Sequence, residues 1–168
     1  MFQDEGRFGR LSNPRRCWAP PGVRPRVPCQ LVREYTYAFA AVCPKDGNLD
    51  SLILPEVNAE TMSIFLDEVA QRHPDDFVLM FMDRAGWHVA SDLITPDNIA
   101  IAHLPPRSPE LNPAESLWDE IREKAFPNLV FNSLSGVEDV LEHALASLES
   151  DPSLVKSLCG YDWVISNL

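Results

Sequence analysis

Phe77-Val78-Leu79-Met80-Phe81-Met82 is apolar at every position and stops at a charged residue, Asp83. The pattern predicts a central strand buried on both faces. A second, shorter apolar run, residues 99–104, ends at Pro105-Pro106 and predicts a neighbouring parallel strand, with a short helix over residues 86–93 as the crossover. Upstream, Asn58 can cap a helix whose apolar positions Met62, Phe65, Leu66, Val69 and Ala70 recur at spacings of three and four, ending at His73-Pro74-Asp75-Asp76. Before that helix, residues 32–42 alternate at period two through Tyr35, Tyr37 and Phe39. They read as one arm of a hairpin, with a turn at residues 44–48 and a return strand at residues 49–54. Downstream, residues 113–125 read as a helix burying Ala114, Leu117, Trp118, Ile121 and Ala125, followed by amphipathic helices over residues 134–149 and 152–158. With a further strand around Asp4, the order describes an α/β fold: one mixed sheet covered by helices, without internal repeats.

A length of 168 residues with 45% apolar content suits one domain, residues 1–168, with C-terminal helices over about 134–168. The net charge of −11 argues against a nucleic-acid coat protein or a polybasic membrane-surface protein. That net figure hides an asymmetry. Residues 1–33 carry seven arginines against Asp4 and Glu5, a local balance of +5. Residues 13–28 hold five prolines and four arginines, which favours an extended, helix-excluding segment. It reads either as a solvated linker or hairpin loop, or as a track for a phosphate backbone.

No apolar run is long enough for a transmembrane helix, so no membrane partner is expected. The first residues lack the layout of a secretory signal, which predicts a cytoplasmic protein. Cys17, Cys29, Cys43 and Cys159 are widely spaced and read as reduced, structural cysteines.

Three carboxylates stand out against this skeleton. Asp83 lies at the carboxyl end of a buried strand, where ligands gather in open α/β sheets. Asp4 lies in the first strand and Glu115 in the first turn of a helix. Three converging carboxylates suit a hard divalent cation, Mg²⁺ or Mn²⁺. Each also has an ordinary explanation: Asn112-Pro113-Ala114-Glu115 satisfies a capping box, Asp83 can open a turn, and Asp4 can be a surface carboxylate. His88 either orients a carboxylate or phosphate or is a satisfied structural residue. Asp119, one turn beyond Glu115, is either a reserve ligand or part of a solvated acidic face.

Four stretches together resemble the catalytic domain of DDE-type transposases (the DDE superfamily endonucleases), in the bacterial insertion-sequence branch related to mariner elements. They are Phe2-Gln3-Asp4-Glu5-Gly6-Arg7-Phe8-Gly9-Arg10, Trp18-Ala19-Pro20-Pro21-Gly22, Met82-Asp83-Arg84-Ala85-Gly86-Trp87-His88, and the most specific one, from Leu104-Pro105-Pro106-Arg107-Ser108-Pro109-Glu110-Leu111 through Asn112-Pro113-Ala114-Glu115-Ser116-Leu117-Trp118.

The resemblance implies a ribonuclease H-like fold with an Arg/Pro-rich insertion at about 13–33. It further implies that Asp4, Asp83 and Glu115 are catalytic metal ligands for two ions, which together cleave DNA strands and join element ends to target DNA. Thirty-one residues separate Asp83 from Glu115, compatible with the family spacing. Two departures, Arg84 in place of the family's usual asparagine and Arg107 where an aromatic is frequent, add positive charge near the site. Arg7, Arg10, Arg15, Arg16, Arg24, Arg26, Arg84, His88 and Arg107 are the candidate DNA contacts. A homodimer is expected, and association with the nucleoid when bound to DNA.

Such transposases carry helix-turn-helix modules ahead of the catalytic domain. Here only three residues precede Asp4, which suggests a shortened first strand and a partner product of an upstream reading frame. A truncated, non-catalytic remnant that interferes through mixed assembly is the alternative function.

Overall fold

A computed structural model describes residues 1–167. Its five strands, β1 (Phe2–Leu11), β2 (Leu31–Val42), β3 (Leu49–Leu54), β4 (Val78–Met82) and β5 (Ile99–His103), form one sheet in the order β3-β2-β1-β4-β5. β1, β2 and β3 pair antiparallel, whereas β1–β4 and β4–β5 are parallel. The sheet is therefore mixed, as the sequence predicts, with β1 in the middle.

Helix α1 (Ala59–Arg72) covers one face. Asn58 caps it as expected: its side chain accepts from Thr61 N, and Thr61 Oγ1 accepts from Asn58 N. Met62, Phe65, Leu66 and Val69 pack on Phe39, Ala41, Val78, Met80 and Met82. The opposite face carries α2 (Glu115–Lys124), α3 (Leu134–Glu149) and α4 (Pro152–Cys159), with a four-residue α5 (Asp162–Ile165) that the sequence reading omits. Leu117, Trp118, Ile121, Val137, Leu141 and Leu145 bury the even-numbered side chains of β1 and β2 there, including Phe8, Ala38 and Ala40.

Three expectations change. β4 is not covered on both faces: α1 packs on Val78, Met80 and Met82, but the α2–α4 layer lies over β1–β3, so Leu79 is 46% exposed and Phe77 stands outside the strand. On that face Phe81 alone finds a partner, stacked on Phe2 at 5.0 Å. The crossover is a single 3-10 turn, Gly86–His88, rather than a helix to residue 93. β1 is ten residues long, running seven residues past Asp4, and its ladder with β4 is limited to Phe2 and Phe81. Of the cysteines, Cys159 is buried and pushed up to about 12 by burial, whereas Cys17 and Cys29 are exposed in the arginine-proline arm and pack nothing.

Candidate catalytic site

Strand geometry sorts the residues of β1 onto two faces. Asp4, like Phe2 and Phe8, points toward α2. Gln3 and Glu5 point the other way, toward the turn that follows β4. Because Phe2 pairs with Phe81 in a parallel ladder, Asp4 is level with Asp83, just past the carboxyl end of β4.

The indole of Trp118 donates from Nε1 to Asp4 Oδ2 at 2.8 Å. Burial pushes Asp4 up to about 7, with the charge of Glu115 adding to the shift and the Trp118 hydrogen bond opposing it. Glu115 is likewise raised, by burial first and then by Asp119 and Asp83, while Arg122 pulls it down. The capping box does not form. Asn112 Oδ1 accepts from Ala114 N at 3.2 Å, and its Nδ2 donates to the backbone oxygen of Gln3 at 2.9 Å, so Asn112 ties the start of α2 to β1. Glu115 is left exposed in the first turn, free of capping.

Asp83 does open a turn, since its Oδ1 accepts from Ala85 N at 2.8 Å. The same oxygen meets His88 Nδ1 at 2.8 Å, and His88 Nε2 meets Glu5 Oε1 at 2.8 Å. His88 is 3% exposed and forms a buried bridge between two carboxylates. Burial opposes its protonation, but the hydrogen bond to Glu5 and the charges of Glu5 and Asp83 outweigh it and hold His88 above its ordinary value. Glu5 also accepts from Trp87 Nε1 and Gln3 Nε2, each at 3.1 Å. The sequence reading missed Glu5, Trp87, Trp118 and the tethering role of Asn112. The signal was present in the adjacency of Asp4 and Glu5: two successive carboxylates in a core strand face opposite sides, so each needs its own buried donor.

Among the described residues, no three His, Cys, Asp or Glu side chains already stand close enough to hold an ion. The donor chemistry nevertheless fits one: Asp4, Asp83 and Glu115 offer hard oxygens, and charge repulsion couples Asp4 to Glu115 and Glu115 to Asp83.

The arginines fall into three groups. Arg7, Arg10 and Arg15, joined by Arg122 from α2, line a cleft of about 380 Å³ with Phe8, Tyr35 and Asn128. In it Arg10 pairs with Glu34 at 2.7 Å and Arg15 with Glu123 at 3.5 Å, while the Arg7 and Arg122 guanidinium groups lie over the Tyr35 and Phe8 rings. Arg16, Arg24 and Arg26 are exposed in the arm between β1 and β2. Arg84 and Arg107 are exposed on the loops after β4 and β5, and Arg107 has a left-handed backbone (φ 59°).

A mixed five-stranded sheet with carboxylates at the carboxyl end of a parallel strand and helices on both faces is the ribonuclease H-like architecture of transposase catalytic cores. Residues 1–137 match the model of the DDE superfamily endonuclease family, and the chain belongs to that family. It is 36% identical over 133 residues to the uncharacterized protein y4pE/y4sA of Sinorhizobium fredii (strain NBRC 101917 / NGR234), covering 77% of this chain and 96% of that protein.

Among solved structures it resembles the Mos1 mariner transposase paired-end complex with Mn (TM-score 0.65, 16% identity, 99% of this chain and 54% of the other). It also resembles the isolated catalytic domain of Mos1 transposase (TM-score 0.57, 16% identity, 99% and 80%). The chain thus spans about half the length of the transposases in those complexes. No helix among the described residues is long and apolar enough to cross a membrane.

Proposed function

We propose that this chain is the catalytic domain of an insertion-sequence transposase, cleaving DNA strands and transferring their 3′ ends with Mg²⁺ or Mn²⁺ held by Asp4, Asp83 and Glu115. The observation that carries this reading is the placement of carboxylates from three separate elements, β1, the end of β4 and the start of α2, near enough that the charge of Glu115 raises Asp4 and that of Asp83 raises Glu115, within a family of endonucleases. Bound divalent cations supply activation of the attacking oxygen and charge stabilisation at the leaving 3′ oxygen. The protein residues do the rest. Trp118 fixes one oxygen of Asp4, and His88 with Ala85 N fixes Oδ1 of Asp83, so both ligands are oriented before a cation arrives.

Arg122 reaches from beside Glu115 into the arginine cleft, and the cleft with Arg7, Arg10 and Arg15 serves as the groove for the phosphate backbone. Arg16, Arg24, Arg26, Arg84 and Arg107 supply further phosphate contacts. A homodimer that brings two DNA ends together completes the assembly; the similar Mos1 structures are paired-end complexes. Incubation with the element's terminal inverted repeat and Mn²⁺ tests the reading. Nicking that disappears in Glu115→Gln is the expected outcome, and a folded wild-type protein that nicks nothing supports the remnant instead.

A further inference from the structure

Tyr161 and Trp163 lie outside the residues that match the family. Trp163 belongs to the short α5, and Tyr161 immediately precedes it. Their rings are nearly parallel, 8° apart in plane with centroids 6.4 Å apart, an offset stack. Both are open to solvent, at 41% and 44% exposure. They are nonetheless held firmly. Val164 between them and the core is 2% exposed, and the Tyr161 hydroxyl lies 2.6 Å from Ser116 Oγ, on the residue that follows Glu115. A rigid aromatic step therefore stands beside one of the three carboxylates.

The chemistry of this step narrows its ligand. Residues 159–165, Cys-Gly-Tyr-Asp-Trp-Val-Ile, contain no lysine or arginine, and the one charge, Asp162, would repel a phosphate. What the segment offers is a flat π-face. Bases within a duplex keep their faces stacked on neighbours, whereas an unpaired base at a nick, overhang or frayed end presents one. We infer that Tyr161 and Trp163 form a stacking platform for an unpaired base of the DNA strand whose phosphate lies at the carboxylates. The inference rests on the nuclease reading above and adds the part of the substrate that the carboxylates and arginines do not touch.

The test uses the full chain in the Glu115→Gln background, so that binding is read without cleavage, and a short single-stranded oligonucleotide carrying one 2-aminopurine. Binding should quench the probe. Trp163→Ala should abolish the quench and weaken single-strand affinity roughly tenfold, with duplex affinity changed less than about twofold. Trp163→Phe should restore most of both signals. Tyr161→Leu, which keeps an apolar side chain but no π-face, should lose them as Trp163→Ala does, and stands in for it if Trp163→Ala fails to fold. An unchanged quench and affinity in the folded variants overturns the platform, as does wild-type protein that binds the strand without quenching it or does not bind it. A loss confined to self-association, read by sedimentation, assigns the pair to a second copy and equally overturns it. Nicking by otherwise wild-type protein is scored separately. Quenching without nicking retains the platform and refutes the nuclease, whereas nicking without quenching does the reverse.

Discussion

His88 gives one nitrogen to Asp83 and the other to Glu5, in a position where solvent contributes nothing to its hydrogen bonding. The ring can satisfy both carboxylates fully only when both nitrogens are protonated, which is the direction in which its neighbours push it. Asp83 is thereby held by a buried group through one carboxylate oxygen. His88→Gln, which keeps polarity but cannot span two acceptors, should raise the Mn²⁺ concentration for half-maximal nicking by roughly 10–100-fold. A metal titration of the nicking rate at fixed DNA decides it, and an unchanged midpoint shows that Asp83 needs no such support. Residue types alone left this histidine open between orienting a carboxylate or phosphate and being a satisfied structural residue. The turn after β4 brings it against Asp83 and buries it there. The places of Asp4 in a strand, Asp83 at a strand end and Glu115 in the first turn of a helix were legible in the pattern, while their joint role as ligands is what the family resemblance implies. Glu5 was not legible, since its importance comes from a contact with a residue 83 positions away.

At the level of elements, β1 and α2 fit together through an absence of side chain. A Cβ on Gly6 would come 2.7 Å from the Trp118 ring, so the indole can lie flat on the strand and reach Asp4 only over glycine. Gly6→Ala should cost about 1–3 kcal/mol, the usual penalty of overpacking a filled core. It should also turn the indole away from Asp4; urea denaturation with tryptophan fluorescence reads both effects. Hydrophobic periodicity located β2 to β5 and the four longer helices, whereas β1 was legible only as a strand around Asp4, without bounds. It overstated β4, whose all-apolar sequence mimics two-sided burial, and it could not see α5, a single turn held by Val164. The capping-box pattern also misled: Asn112 Oδ1 accepts from Ala114 N and not from Glu115 N, while its Nδ2 ties the turn to β1.

Across the whole molecule, the acidity that first argued against DNA is locally organised. Asp4 rises from an ordinary 3.8 to about 7 on folding, so the folded protein binds its proton more tightly than the unfolded chain does. Stability from this group is full below about pH 4 and is lost as the pH rises through about 7, on the order of 4 kcal/mol in all. A metal-free melting series should therefore decline across that window, and Asp4→Asn should flatten it. Mg²⁺ or Mn²⁺ should restore the melting temperature at neutral pH in the wild type but not in Asp83→Ala, since binding requires the deprotonated ligands. An identical metal-induced shift in both proteins removes the ion from this site.

The ladder between β1 and β4 joins Phe2 to Phe81, and Asp83 and Glu115 stand far along the chain from Asp4. No local fragment contains all three carboxylates, and the pairing that aligns two of them closes a loop of nearly eighty residues. On the proposed reading the site is consequently a late product of folding: a partly synthesised or partly opened chain would be harmless, and DNA cutting would await completion of the sheet.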